Sequence, residues 1–323
     1  MPNNTVLETR NLTKIFKDFW RRDKVCALNN INLQVEEGTV FGLLGPNGSG
    51  KSTFVKLALG LLHTTQGHIA VFGRPAGTLK DKGRIGFMPE ETYLYQYLDA
   101  EATLDFYGSL NNLSSKERKK RAQALISMVG LTPNRRRPLK EYSKGMARRI
   151  GLAQALIGDP ELLFLDEPTS GLDPIGTREI KDLILELKKR GKTIFLCSHL
   201  LADVEDVCDK IAVLYNGRIC TQGSVSELLS KTDTTQITSA QLSDESIKKI
   251  AQIIEQDTQD QPDITNPMER LESFFLQVIK KARQEKEQSS GAEAGTSAPE
   301  FLGKEKIAAK RKKILDDLEY RKE

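Results

Sequence analysis

The feature that most constrains this chain is a glycine-rich segment directly after an apolar run. Residues 45–52 match the spacing G-x-x-x-x-G-K-[ST]. Before them, residues 31–44 predict two short strands separated by a Glu-Glu-Gly turn, and after them residues 51–62 have helical periodicity. A strand, such a loop and a helix in this order predict a phosphate-binding loop for a nucleoside triphosphate.

The residue types in this loop suit phosphate chemistry. Glycines let backbone N–H groups turn inward around phosphate oxygens, and the helix N-terminus adds its positive dipole end. Lys51 is predicted to place a positive charge on the β- and γ-phosphates, and the Ser52 hydroxyl to bind Mg²⁺. The predicted nucleotide-binding residues of the loop are Gly45, Pro46, Asn47, Gly48, Ser49, Gly50, Lys51, Ser52 and Thr53.

Two further strand ends carry side chains suited to the same chemistry. The apolar run 162–165 predicts a buried strand that ends at Asp166, a predicted Mg²⁺ ligand, followed by Glu167. No cation beside Glu167 is evident in the sequence, and near a γ-phosphate it can orient or deprotonate a water. His199 ends a second apolar run. A lone histidine is more often structural, but this position beside two other strand ends favours a functional role.

A second anion-binding element precedes a predicted helix. Ser143 and Gly145 precede this helix, which is predicted to begin near Met146. A hydroxyl and free N–H groups at a helix N-terminus bind phosphate, although the same pattern alone is an ordinary N-cap.

The rest of the chain divides by composition. Alternating strands and helices predict a parallel α/β core, and residues 99–157 predict an inserted subdomain of three helices. Residues 224–285 form a predicted extension with an amphipathic helix, and 286–303 have the composition of a flexible linker. Residues 304–323 predict a basic helix, either solvated or docked on an anionic bilayer or acidic partner.

Charge and hydropathy exclude several classes of protein. The formal charge of +4 lacks the basic cluster of a nucleic-acid binder, so no nucleic acid partner is expected. No apolar run reaches the ~20 residues of a membrane-spanning helix. The N-terminal residues lack the apolar core of a signal peptide, which predicts a cytosolic chain.

The motifs taken together resemble the ATP-binding cassette (ABC) ATPases. The resemblance covers residues 5–223 and includes, in order, the loop and the segments 88–90, 142–146, 162–174 and 197–199. It implies the α/β P-loop NTPase fold of ABC ATPases, with an antiparallel β subdomain, an inserted helical subdomain and, in this chain, a C-terminal extension. It also implies a head-to-tail homodimer in which ATP lies between the loop of one copy and the 142–146 segment of the other.

The resemblance assigns roles to individual residues. It implies that Glu167 is the general base, that His199 senses the γ-phosphate, and that both are catalytic together with Lys51. Ser143 and Gly145 would contact the γ-phosphate across the dimer.

The resemblance also implies an aromatic side chain stacked on adenine and a residue that couples the two sites. Phe16 is the predicted stacking residue, and Phe19 and Trp20 are alternatives because the segment around them is longer than usual. Asp173 would couple the two ATP sites of the dimer.

The chain departs from the family pattern in two places, the signature, which reads Tyr-Ser-Lys-Gly-Met for Leu-Ser-Gly-Gly-Gln, and position 90. Met146 replaces the usual glutamine that ends the signature, in a variant resembling that of exporter ATPases with separate membrane subunits. Glu90 replaces a glutamine that touches Mg²⁺, and it remains a predicted metal ligand with Ser52 and Asp166. Because Glu90 adds a second carboxylate near Asp166, we hypothesise that it ties the site more tightly to Mg²⁺.

These observations predict a peripheral ATPase subunit at the cytoplasmic face of a membrane, which powers an exporter by ATP-driven dimer closure. The permease would be a separate integral membrane chain, docked near Tyr93, Tyr95 and Tyr97. Alternatives are a soluble ABC ATPase, for example in cluster assembly, and a regulatory module that binds ATP without turnover. The transported substrate does not follow from the sequence.

Overall fold

Two β-sheets organise the part of the chain that contains the glycine-rich loop. The structure, a computed structural model, describes residues 5–17, 23–91, 94–230, 237, 239–258, 262 and 298–302. The larger sheet has six strands, parallel except for β10 at one edge. In spatial order these strands are β10 Arg218–Ser224, β9 Lys210–Tyr215, β3 Val40–Leu44, β8 Thr193–Ser198, β7 Leu162–Asp166 and β6 Ile85–Met88.

The central strands are buried on both faces, as continuous apolar runs require. Successive residues of β7 point into two different hydrophobic cores. Leu163 and Leu165 pack with the helices of the inserted subdomain. Leu162 and Phe164 pack into the other core, where the Phe164 ring lies 5.4 Å from that of Phe195. The sheet is therefore the middle layer between two cores.

The second sheet is antiparallel and has four strands. In spatial order they are β2 Asp23–Glu36, β1 Thr5–Lys17, β4 Gln66–Val71 and β5 Arg74–Pro75. The antiparallel portion expected from the N-terminal strands is thus present, and it packs on the same core as Phe164.

Helices follow the strands and form the inserted subdomain. Several begin at a side chain that accepts a hydrogen bond from the first turn, which explains where they start. These N-caps are Asp99, Ser114, Ser143 and Asp173. The α-helices described up to residue 229 are α1 Lys51–Ala58, α2 Ala100–Leu110, α3 Ser115–Met128, α4 Lys144–Leu156, α5 Pro174–Lys189, α6 Leu201–Val207 and α7 Val225–Leu229. Helices α2 to α4 lie in the range predicted for the helical subdomain.

A separate compact unit comprises Leu229–Glu287. Its described part contains helix α8, Asp244–Thr258, within the predicted C-terminal extension 224–285. The amphipathic stretch 266–284 and the basic stretch 304–323 lie outside the described residues. In the described part of the chain, no helix is both long enough and apolar enough to cross a membrane.

A short C-terminal segment, residues 298–302, packs against the main unit. Phe301 and Leu302 are buried in the same core as the helical subdomain. The guanidinium of Arg121, on α3, lies 4.7 Å from the centre of the Phe301 ring. Arg190, at the end of α5, donates a hydrogen bond of 2.8 Å to the Pro299 carbonyl. The segment therefore contacts both the helical subdomain and a helix of the α/β core.

The composition did not predict the packing of this segment. Residues 298–302 fall inside the range 286–303, which has the composition of a flexible linker. Small and polar residues dominate that range, and its two large apolar side chains stand at its end. The remainder of the range lies outside the described residues.

We predict that Phe301→Ala destabilises the protein by about 3 kcal/mol, since it leaves a cavity and removes the ring beneath Arg121. The free energy of unfolding from urea denaturation measures this. Leu79→Ala is the matched control, because Leu79 is 79% exposed and its loss leaves no cavity. Equal effects of the two substitutions would show that residues 298–302 do not pack as described.

Candidate active site

The glycine-rich loop is held in place by close backbone contacts. It connects the end of β3 to the start of α1. A Cβ on Gly45 would lie 2.2 Å from the Leu214 carbonyl oxygen. Gly50 has φ of 114°, and a Cβ there would lie 2.6 Å from the Ala27 carbonyl oxygen. Only glycine fits at these two positions, so the loop is packed tightly between β2 and β9.

A cleft of about 540 Å³ opens above this loop. Its walls come from the loop and the first turn of α1, from three acidic residues, and from two elements that sequence reasoning did not include. The lining residues are Pro46–Thr53, Glu90, Asp166, Glu167, Val25, Cys26, Ala27, Asn216 and Gly217. The 216–217 turn was expected as a hairpin only. Its place in the wall follows from the Gly217 N–H, which donates to the Ser49 carbonyl at 3.0 Å.

The carboxyl ends of β7 and β8 bring the acidic residues and the histidine together. Asp166 is the last residue of β7 and pairs with Cys197 of β8, while the Glu167 N–H donates to the Cys197 carbonyl at 2.9 Å. Glu167 has φ of 51°. A positive φ is uncommon for a residue with a side chain and often marks a functional site.

Glu167 has two cationic or titratable neighbours. Its Oε1 lies 2.8 Å from Nδ1 of His199 and 3.7 Å from Nζ of Lys51. The sequence showed no partner cation for Glu167, and Lys51 supplies one from a distant part of the chain. Neither contact forms a hydrogen bond, so Oε1 is a buried oxygen without a donor.

Lys51 itself is held at the base of the cleft. Its ammonium group donates hydrogen bonds to the carbonyls of Gly45, at 2.6 Å, and Pro46, at 3.3 Å. The side chain is buried, which places a positive charge beneath the position that phosphates of a bound nucleotide take in a loop of this type.

Asp166 has the properties of a metal ligand. It is 5% exposed, and its Oδ1 is buried without a hydrogen-bond partner. Burial raises the pKa of Asp166, and the nearby carboxylates of Glu167 and Glu90 raise it further, against a hydrogen bond from Ser52 and the charge of Lys51. An unpaired buried carboxylate oxygen next to a hydroxyl suits a hard divalent cation such as Mg²⁺.

The Mg²⁺ site expected here needs few protein ligands. Mg²⁺ is commonly bound by one or two carboxylates together with substrate phosphates. Within the described ranges, no group of three or more His, Cys, Asp or Glu side chains is arranged to hold a metal ion. Ser52, Asp166 and Glu90 all line the cleft and fit the smaller set.

Comparison with known proteins gives consistent names. A family model described as "ABC transporter" matches residues 28–170. An uncharacterized ABC transporter ATP-binding protein of Synechocystis is 46% identical over 227 residues, which are 69% of this chain and 64% of that one. The lantibiotic transport ATP-binding protein SrtF of Streptococcus pyogenes is 39% identical over 66% of this chain and 89% of its own length.

The chain belongs to the ABC transporter ATP-binding proteins. The family and the fold class expected from the motifs are thereby confirmed, as is the prediction of an ATPase subunit of a transporter. The fluoroquinolones export ATP-binding protein of Mycobacterium tuberculosis is also similar, 43% identical over 62% of this chain and 66% of that one.

A solved structure shows the same architecture. It is a dimeric ATP-binding cassette in a post-hydrolysis state, bound to ADP and Pi, with a TM-score of 0.63 and 26% identity. It covers 68% of this chain and 98% of its own. The match therefore includes nearly the whole of that ATP-binding cassette and about two thirds of this chain.

Four of the predicted nucleotide contacts do not line the cleft of this ABC cassette, namely Gly45, Ser143, Gly145 and Phe16. Gly45 begins the loop and packs against the Leu214 carbonyl of β9. Ser143 and Gly145 lie at the start of α4, where the Met146 N–H donates to Ser143 Oγ at 3.2 Å. Phe16 pairs with Val25, which does line the cleft, and the Lys14 ammonium lies 5.1 Å from the centre of its ring. Phe16 as the adenine-stacking residue remains a prediction. The alternatives Phe19 and Trp20 lie outside the described residues.

Sequence reasoning missed one charged residue beside the site. Arg148, on α4, is 7% exposed and donates to the Pro89 carbonyl at 2.8 Å. Burial lowers the pKa of its guanidinium, against the opposing effect of the carboxylates of Glu90, Asp166 and Glu167. The sequence signal was an arginine at a buried position of a helix that otherwise faces a core.

We predict that Asp166→Asn stabilises the nucleotide-free, metal-free protein at neutral pH. A raised pKa means that the folded state binds the proton more strongly, so the stability due to Asp166 is full below the unfolded pKa of about 4 and is lost as pH rises through the folded pKa. Asparagine does not titrate, so its advantage should grow over this range and then stay constant. Thermal unfolding in EDTA between about pH 4 and pH 8 measures it.

Exposed Asp182→Asn serves as the control, because the Asp182 side chain is 56% exposed and its carboxylate stays solvated. An advantage of Asp166→Asn that shrinks with rising pH would contradict the prediction.

Proposed function

We propose that two copies of this ATPase bind Mg²⁺-ATP head to tail and power an exporter at the cytoplasmic face of a membrane. The permease is a separate integral membrane chain, and the ATPase attaches to it peripherally. The names of two similar proteins, for lantibiotic transport and fluoroquinolones export, support the exporter class. The alternative of a soluble ABC ATPase is not favoured, because the similar proteins carry transport names.

The observation that carries the hydrolytic role is the buried Glu167 carboxylate between Lys51 and His199. Its unpaired Oε1 faces Lys51, the first residue of α1, and His199, which follows the end of β8. A carboxylate in this position accepts the proton of an attacking water, and His199 beside it contacts the γ-phosphate. Lys51 offsets the negative charge that develops on the phosphoryl group.

The metal side of the proposed site consists of Ser52, Asp166 and Glu90. These three residues would hold Mg²⁺, which would supply positive charge against the phosphates of a bound nucleotide. The Ser52 hydroxyl bonded to Asp166 and the unpaired Asp166 oxygen orient ligand atoms toward the cleft.

The head-to-tail homodimer is supported by the position of the signature. Ser143 is exposed and does not line the cleft of its own copy, and Gly145 is also absent from that lining. The N-terminus of a 13-residue helix with an exposed hydroxyl suits a phosphate presented from outside, as the ATP of a second copy would be. Asp173, exposed at the start of α5, is available for the proposed coupling of the two sites.

The proposed permease contact is an exposed aromatic surface, defined here by Tyr95, Tyr97 and Phe106. Their exposures are 59%, 86% and 37%, and the rings of Tyr95 and Phe106 meet edge to face at 5.5 Å. Exposed clustered aromatics favour protein interfaces. Tyr93 of the predicted set lies outside the described residues.

We predict that Glu167→Gln lowers the ATP hydrolysis rate at least ~100-fold, since the amide cannot take the proton of water. ATP binding should persist, and the trapped ATP should make the protein dimeric in light scattering. Asp182→Asn, which changes an exposed carboxylate, should retain the wild-type rate. A Glu167→Gln variant that hydrolyses ATP at half the wild-type rate or faster would exclude Glu167 as the base.

We predict that Tyr95→Ser with Tyr97→Ser removes capture of a polytopic membrane protein from detergent-solubilised membranes. The tagged bait carries Glu167→Gln to keep it ATP-bound, and mass spectrometry identifies what is captured. Leu79→Ser is the control, because it removes an equally exposed apolar side chain elsewhere. Capture that survives the tyrosine changes would place the permease contact elsewhere, and capture of a soluble partner alone would favour the soluble class.

A further inference from the structure

Two neighbouring arginines on α4 are buried but contact different parts of the molecule. Arg149 is 8% exposed, and it donates to Glu179 Oε2 on α5 at 2.5 Å and to the Val129 carbonyl at 3.3 Å. Its charge is therefore paired within the scaffold. Arg148 points instead to the segment that follows β6, where its Nη1 donates to the Pro89 carbonyl.

The charge of Arg148 belongs with the carboxylates of the cleft. No carboxylate oxygen of a described residue lies within 4.0 Å of its guanidinium. Three carboxylates act on it electrostatically at longer range, namely those of Glu90, Asp166 and Glu167. Burying an unpaired guanidinium is costly, and this acidic group of the site compensates part of that cost.

The hydrogen bond and the charge act on one short segment. Pro89 has no N–H of its own, so its carbonyl is the peptide group through which the segment can be fixed, and the next residue is Glu90. Glu90 lines the cleft together with Asp166. A donor on the carbonyl of residue 89 sets the direction in which the following side chain leaves the backbone.

We infer that Arg148 is a positioning residue for Glu90, which it holds at the metal side of the cleft while it offsets the charge of two neighbouring carboxylates. The inference rests on the proposed role of Glu90 as a metal ligand. At position 90 this chain has glutamate where the family pattern has glutamine. The additional carboxylate beside Asp166 needs a nearby cation, and Arg148 on α4 provides it.

The position of Arg148 on α4 has a consequence for the dimer. Arg148 lies five residues after Ser143, or about 7.5 Å along the helix axis at 1.5 Å per residue. The helix that presents Ser143 to the ATP of the other copy is thus hydrogen-bonded, about 1.4 turns later, to the backbone just before Glu90 of its own ATP site. A shift of α4 at the dimer contact therefore acts on Glu90.

A double-mutant cycle with Glu90 tests this inference in the purified full-length protein. The variants are Arg148→Met, Arg148→Lys, Glu90→Gln and Arg148→Met with Glu90→Gln, with kcat and KM for ATP measured over a range of Mg²⁺ concentrations. We expect Arg148→Met to lower kcat about tenfold, an effect of the size found for interacting residues in one charged network. Arg148→Lys should recover most of the lost kcat. The double variant should lose clearly less kcat than the product of the two single effects, because Arg148 then has no Glu90 carboxylate to position.

Arg149→Met is the matched control. It removes a buried arginine from the next position of the same helix, so it should lower the melting temperature and leave the kcat of the folded protein within about twofold. Arg148→Met should differ from this control, because its kcat should fall at an assay temperature at which the variant is still folded.

The outcomes separate the inference from the proposal beneath it. If Glu90→Gln impairs turnover but its effect multiplies with that of Arg148→Met, Arg148 does not act through Glu90 and the inference is overturned. If Arg148→Lys is as slow as Arg148→Met, the charge and donor are not what matters and the inference is likewise overturned. If Glu90→Gln alone changes neither kcat nor the Mg²⁺ dependence, the metal role of Glu90 is wrong, and the inference fails with it.

Discussion

The parallel pairing of three central strands is the constraint on which the rest of the structure depends. In the register of this sheet, Leu44 of β3 lies beside Ser198 of β8, and Asp166 of β7 lies beside Cys197. The strands therefore end at the same edge, where the phosphate loop begins. A slip by one residue would turn Asp166 to the opposite face of the sheet and separate it from Lys51. The apolar runs specify this register because each strand must fill two cores with alternating residues.

The same edge of the sheet concentrates unfavourable electrostatics. Asp166 and Glu167 are adjacent and buried, and one oxygen of each has no hydrogen-bond partner. Lys51 and the Ser52 hydroxyl compensate in part. Such a site is less stable than an apolar one would be, and it gains stability when a cation and phosphates complete it. The proposed affinity for Mg²⁺-ATP and the instability of the empty site would thus have one physical origin.

The local parts of the site could be predicted from the sequence, and the parts made by distant segments could not. The loop, Asp166 and His199 follow from motifs whose function depends on a few consecutive residues and on the strand before them. The Ala27 wall of the cleft, the Lys51–Glu167 pair and the burial of Phe301 depend on how remote segments meet. Periodicity and composition describe neighbouring residues and carry no information on such contacts. Residues 298–302 were therefore predicted to be part of a linker, although their two apolar side chains are buried.

Besides the apolar packing of β7 on the helical subdomain, three contacts of described side chains between that subdomain and the α/β core differ in what they can transmit. The Arg149–Glu179 ion pair joins α4 to α5, and the 298–302 segment bridges α3 and the end of α5. Both of these attach to a helix on the outside of the sheet. Arg148 instead attaches to the segment after β6, which carries Glu90 in the cleft and leads to the exposed Tyr95 and Tyr97. Of the three contacts, this one touches a segment that runs between the proposed metal site and the proposed permease surface. If the subdomain moves when two copies close on ATP, the first two contacts resist the movement, and the third passes it to that segment.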